Sequence, residues 1–157
     1  MNLTTFILER ILIWNNEMKV GVIMIEFKEF DSSKIEEVKK IFKKESWNAY
    51  LHDDNKLIKA FDKSLYILGA FDEGNLVGLI RCVGDGEHVL VVQDLIVDKE
   101  YQKQGIGTHL FETIMDKYSE VRMFMVITDI EDKVDNKFYQ SFKLKKLAEK
   151  CMVGYIR

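Results

Sequence analysis

Apolar positions along this chain change their spacing several times, and each change marks an element. From Met24 onward Ile25, Phe27 and Phe30 begin an extended edge. Asp31 and Ser33, with Glu36 three residues after the serine, form a helix entry of capping-box type. Ile35, Val38, Ile41 and Phe42 then give that helix one apolar face, ending near Glu45. A second helical stripe, Leu57, Ile58 and Phe61, starts from Asp53. Residues 65–72 and 76–83 flank Glu73-Gly74-Asn75 as a hairpin, and Gly84-Asp85-Gly86-Glu87 turns the chain again into 89–97. Three antiparallel strands follow from this. Beyond them Leu110, Phe111, Ile114, Met115 and Tyr118 recur at helical spacing, and 121–128 reads as a β-branched and Met-rich strand. A short helix over 132–142 leads to a terminal pair of strands.

The first 23 residues stand apart from this run. Phe6, Ile7, Ile11, Leu12 and Trp14 suit a short amphipathic helix, and Glu9 and Arg10 break the apolar run far short of the roughly 20 residues a membrane span needs. Met18 and Met24 are internal candidates for a start, so residues 1–23 are either a start-site artefact or a docking helix. Residues 24–157 are expected to be one domain. With 157 residues, 47% of them hydrophobic, the chain builds one good core and has no room for a second large one.

Charge and cysteine content narrow the function classes. A net charge of −3 lacks the clustered basic surface that nucleic-acid binding requires. Cys82 and Cys151 have no CxxC partner and nothing reads as a secretion signal, which points to reduced thiols in the cytoplasm. His52, His88 and His109 lack the spacing of a metal site. Neither a metal nor a membrane is expected.

The chemistry concentrates after the strand that ends at Val97. Gln102-Lys103-Gln104-Gly105-Ile106-Gly107-Thr108 runs into a helix, and glycines at 105 and 107 allow positive φ and close backbone approach. The first N–H groups of a helix starting near Gly107 suit a phosphate or diphosphate. Leu110 stands where a dinucleotide fingerprint places its third glycine, and no GxxxxGK sequence is present.

This segment resembles the signature of the GNAT family of N-acetyltransferases, (Arg/Gln)xxGx(Gly/Ala). Asn136-Lys-Phe-Tyr-Gln-Ser-Phe142 is similar to the family's late helix. The likeness covers about residues 24 to 157. It implies an α/β (α+β) three-layer fold, with a mixed central sheet of six to seven strands splayed at the middle and about four flanking helices. It implies acetyl-CoA as cosubstrate, held at the diphosphate by Lys103, Gln104, Gly105, Ile106, Gly107 and Thr108, with Gln102 fixing the loop. Leu95, Ile96 and Val97 would offer main-chain bonds to the pantetheine arm. Asn136, in the late helix, would contact the cofactor, and Tyr139 takes the position facing the cofactor sulfur. The family often has proline where Lys99 stands, asparagine at Asp132 and Gly-Phe at Lys143-Leu144, so the final turn of the family is altered here.

The implied reaction is direct acetyl transfer to a primary amine in a ternary complex. An alkylamine of pKa about 10 is neutral in roughly one molecule per thousand at pH 7, a cost of about 4 kcal/mol before attack. Asp94 is the first candidate base, acting directly or through water; it equally suits a bond to backbone at a strand irregularity, or to the substrate ammonium. Tyr139, a phenol of pKa near 10, suits donation to a departing thiolate. A backbone N–H near Leu95, at a bulge that the resemblance implies, would polarise the thioester carbonyl. Trp47 and Tyr50 lie between the early helices, where they either stack on an amine or form an apolar hinge. Arg81 binds an acidic substrate group or is a solvated strand end. A small-molecule amine is the expected acceptor, with a peptide acceptor and a non-catalytic acyl-CoA sensor as alternatives. A homodimer is compatible with this class.

Overall fold

The computed structural model describes residues 7–12 and 22–157, with side chains from Met24 onward. Six strands form one sheet in the order β1-β2-β3-β4-β5-β6: β1 (Ile7–Leu12), β2 (Val22–Glu29), β3 (Tyr66–Asp72), β4 (Asn75–Gly84), β5 (Val89–Val97) and β6 (Met123–Val126). The first five pair antiparallel. The helices are α1 (Ile35–Lys44), α2 (Asp54–Asp62), α3 (Ile106–Lys117) and α4 (Lys133–Ser141). α3 is the crossover from β5 to β6, which makes the sheet mixed. This is the mixed α/β arrangement, with helices on both faces of the sheet, that the resemblance implies.

Local signals set most of these boundaries. Asp31 caps a turn of 3-10 helix that leads into α1, accepting from Ser33 N at 2.9 Å. α1 itself starts without a side-chain cap, so the Ser33–Glu36 box is replaced by an Asp31 turn. Asp53 caps α2, accepting from Lys56 N at 3.0 Å. Glu73 and Gly74, at φ 47° and 84°, give the β3–β4 hairpin two residues of positive φ, as the tightest hairpin turns require.

Three layers follow from burial. β3 and β4 are buried on both faces over most of their length. One face carries Ile67, Phe71, Leu79 and Ile96 against Val38, Ile41 and Phe42 of α1 and Leu57 and Phe61 of α2. On α3, Ile106, Leu110, Phe111 and Ile114 are buried, and Ile106 Cγ2 lies 3.4 Å from where a Cβ on Gly78 would be, on the sheet's other face. Phe111 meets Phe124 of β6 edge-on at 5.8 Å.

Two further expectations fail. Residues 7–12 were expected to be helical and are strand β1 instead, registered from Ile7 opposite Phe27 to Leu12 opposite Val22. Four of those six residues are Ile or Leu, and the open edge of β2 offers a ladder of backbone partners that a lone helix lacks. Phe6 and Trp14 lie outside the described residues. The terminal pair of strands is also absent among the described residues. After α4 the chain makes a 3-10 turn at Leu147–Lys150 and then an extended tail whose Tyr155 and Ile156 are 92% and 99% exposed. Gly154 interrupts the short apolar run 152–156, and the basic run 143–150 favours a solvated turn.

Residues 1–125 form one compact unit and 126–157 a second. In the second, Asp132 caps α4, accepting from Val134 N and Asp135 N at 2.9 Å. Phe138 contacts the rings of Tyr139 and Phe142 edge-on.

Candidate active site

Side chains tie the loop between β5 and α3 down at Asp98, Lys99, Glu100, Tyr101, Gln102 and Gln104. Asp98 opens it, with Oδ1 accepting from Glu100 N at 3.0 Å and Oδ2 taking Lys44 Nζ at 2.7 Å. Glu45 Oε1 accepts from Lys99 N at 2.9 Å, and the Tyr101 hydroxyl donates to Asp72 Oδ2 at 2.7 Å. Gln102 Nε2 donates to Val97 O at 2.8 Å and Gln104 Nε2 to Glu100 O at 3.0 Å, so both glutamines fold the loop onto itself.

Lys103 and Gly105 then adopt left-handed backbone, φ 60° and 85°. Gly105 is the residue on which α3 starts, and His109 N donates to Gly105 O at 2.9 Å. The N–H groups of Ile106, Gly107 and Thr108 therefore precede the first bond within the helix. Gly107 lies within the first turn and does not need positive φ, contrary to the expectation for it. A Cβ on Gly105 would meet nothing within 4 Å, and one on Gly107 only Val97 Cγ2 at 3.7 Å. Helix-start amides of this kind are the donors that an anionic group such as a diphosphate requires.

On the neighbouring strand the register slips: Arg81 pairs with Asp94, but Cys82 pairs with Val92, so Gln93 is an extra residue. Leu95, Ile96 and Val97 continue beyond this bulge, paired with Ile80, Leu79 and Gly78. The bonds from Arg122 N to Glu87 O and Met123 N to His88 O join β6 to the sheet near the opposite end of β5.

Asp94 and Arg81 sit beside the bulge at 1% and 4% exposure. Arg81 Nε donates to Asp94 Oδ2 at 2.5 Å and Nη1 to Ser64 Oγ at 3.3 Å, and the guanidinium lies 5.2 Å from the centre of the Phe61 ring. The Tyr50 hydroxyl donates to Asp94 Oδ1 at 2.9 Å, with Gln93 Nε2 3.4 Å from that hydroxyl. Arg81 is therefore neither a solvated strand end nor open to a substrate acid. Asp94 accepts one bond on each oxygen, from the Tyr50 hydroxyl on Oδ1 and from Arg81 Nε on Oδ2. Burial and the Asp94 charge raise the Tyr50 phenol above its ordinary value, so it remains a donor. Trp47 stacks on Tyr50 at 6.0 Å, and both lean on Phe42.

In the second unit, burial and then the charges of Asp135 and Asp132 push the Tyr139 phenol well above its ordinary value. Asn136 Nδ2 donates to Asp129 O at 2.8 Å and Asp132 O at 2.6 Å, which ties its amide to the loop before α4.

Sequence reasoning placed the loop but missed its supports, Lys44, Glu45, Asp72 and Tyr101. No short spacing announces them: Lys44 and Asp98 are 54 positions apart. Among the described residues no group of three His, Cys, Asp or Glu could hold a metal, and no helix is long and apolar enough to cross a membrane.

Residues 23–143 match the family model described as Acetyltransferase (GNAT) family. A GNAT family acetyltransferase from Streptococcus pneumoniae TIGR4 is 34% identical, with a TM-score of 0.75 over 85% of this chain and 97% of that one. The PaiA N-acetyltransferase from Thermoplasma acidophilum, in complex with coenzyme A, is 18% identical, with a TM-score of 0.63 over 75% of this chain and 87% of that one. An aminoglycoside acetyltransferase from an uncultured soil metagenomic sample, in complex with sisomicin, is 18% identical, with a TM-score of 0.64 over 85% and 94%. No curated protein sequence matches the chain.

Proposed function

We propose, from the premise that the chain belongs to the GNAT family of acetyltransferases, that it moves an acetyl group from acetyl-CoA directly to a primary amine of a small molecule. The cradle turn at Gly105 carries this reading: a left-handed backbone leads into a run of helix-start amides, and a Cβ on Gly105 would meet no protein atom within 4 Å. The coenzyme A and sisomicin complexes of structural neighbours support the cosubstrate and a small-molecule acceptor. Two thiols that remain free, one buried and one exposed, suit a cytoplasmic setting.

When bound, acetyl-CoA supplies an activated thioester. Ile106, Gly107 and Thr108 present main-chain N–H groups to its diphosphate, with Lys103, Gln104 and Gly105 shaping the turn and Gln102 pinning it to Val97. Leu95, Ile96 and Val97 present main-chain groups to the pantetheine arm. The bulge leaves Gln93 without a partner on β4, and a backbone N–H near Leu95 would polarise the acetyl carbonyl.

Asp94 serves as an anchor that fixes the Tyr50 ring through its hydroxyl, while Arg81 balances its charge. Trp47 and Tyr50 form the aromatic wall on that side, and the ammonium proton leaves through water. Burial keeps the Tyr139 phenol protonated, and the role we assign it from the family resemblance is that of hydrogen-bond donor to the departing sulfur. Burial pushes the Cys82 thiol up to about 12, which supports transfer without an acyl-cysteine.

The test is thiol release from acetyl-CoA against a panel of small amines and peptides, with Tyr139→Phe alongside. Turnover on small amines is expected, lowered about 10- to 100-fold in the variant with coenzyme A affinity unchanged. Acetylation of peptides alone would reassign the acceptor, and binding without turnover would make the protein a sensor.

A further inference from the structure

The loop proposed to receive a dianion is ringed by carboxylates. Glu45, Asp72, Asp98 and Glu100 all contact it or belong to it, and each acts as an acceptor that shapes the loop or as an ion-pair partner. Such a ring fixes the backbone and at the same time repels phosphate. Lys99 and Lys103 are the loop's own cations, and neither figures among the bonds that tie the two acidic loop residues together.

Lys44, from the last turn of α1, resolves the conflict. Its Nζ reaches Asp98 Oδ2 at 2.7 Å and Glu100 Oε2 at 3.0 Å, and the Glu100 carbonyl accepts in turn from Gln104 Nε2 of the cradle. We infer that Lys44 is a positioning residue for cosubstrate binding, a counter-charge that cancels Asp98 and Glu100 so that an acidic, rigid loop accepts a diphosphate ester without Lys44 touching it. Those two carboxylates hold the ammonium charged up to about pH 12, so the cancellation persists at every working pH. The same turn of α1 places Glu45 on Lys99 N and leads to Trp47 and Tyr50, so Lys44 lies where the acceptor wall and the cradle share one support.

The inference rests on the cradle reading, and one experiment separates the two. Coenzyme A binding is measured by calorimetry on the full chain for the wild type, Lys44→Met, Lys44→Arg, Glu100→Gln and Lys44→Met with Glu100→Gln, at 0.05 M and 0.5 M salt, with thermal midpoints as a check on folding. Lys44→Met is expected to weaken binding about five- to tenfold at low salt. The gap to wild type should shrink at high salt, as screening of repulsion requires. Arginine at 44 should restore affinity, and Glu100→Gln in the methionine background should recover part of it. A defect of loop structure alone would persist at high salt and would not be recovered by removing Glu100's charge; that result overturns the inference, as does unchanged affinity in Lys44→Met. Wild-type protein that binds no coenzyme A would overturn the cradle reading and this inference with it.

Discussion

The Tyr50 hydroxyl donates a 2.9 Å hydrogen bond to Asp94 Oδ1, joining the turn between the first two helices to a bulged strand 44 positions later in sequence. Because Asp94 keeps Arg81 on its other oxygen, Tyr50→Phe leaves no naked buried charge. The variant should lose about 1 kcal/mol of stability in a denaturant titration. As the Tyr50 ring of the acceptor wall loses its anchor, the acceptor KM should rise several-fold while coenzyme A affinity stays constant; an unchanged KM would remove Tyr50 from the acceptor site.

Cys82 is fully buried in β4, and burial leaves its thiol protonated under working conditions. Cys82→Ala should therefore retain turnover within about twofold, at a stability cost of about 1 kcal/mol from the lost packing. Loss of turnover in a folded Cys82→Ala protein, or a covalent acetyl group found on Cys82 by mass spectrometry, would contradict direct transfer.

Much of this molecule was legible because its signals are short. The Glu73-Gly74 hairpin, the Asp53 and Asp132 caps and the β5–α3 loop each lie within a few residues of the features that announce them. The misplaced elements answer to partners that the local sequence does not name. Residues 7–12 carry apolar side chains compatible with either period, and the free edge of β2 decided for strand. Arg81 and Asp94 looked like separate polar residues on separate strands. Their burial as a pair depends on register and on the bulge at Gln93, which only the folded sheet defines.

Asp85 Oδ1 accepts from the N–H groups of Glu87, His88 and Val89 at 2.9, 2.8 and 3.0 Å, gathering the turn into β5. These bonds, Val89's foremost, hold its carboxyl down at about 2. A depressed folded-state value means that the stabilisation is fully present above the ordinary carboxylate value of about 3.9 and is lost as pH falls from there toward 2. Thermal midpoints measured from pH 5 to pH 2 should fall more steeply for wild type than for Asp85→Asn, whose side chain accepts the same bonds without titrating. Parallel curves would show that the turn does not contribute to the acid sensitivity.

The central claim is that main-chain amides beside Gly105 grip the diphosphate of acetyl-CoA, and calorimetric titration of coenzyme A into wild type and Gly105→Val tests it most directly. A side chain at φ 85° costs about 1 to 2 kcal/mol in backbone strain, and it meets no protein atom within 4 Å, so the variant should fold. The account predicts saturable binding to wild type, in the micromolar to millimolar range usual for enzyme substrates, and at least about a 100-fold loss in the folded variant. Equal affinity in the two proteins, or no binding to either, would contradict it.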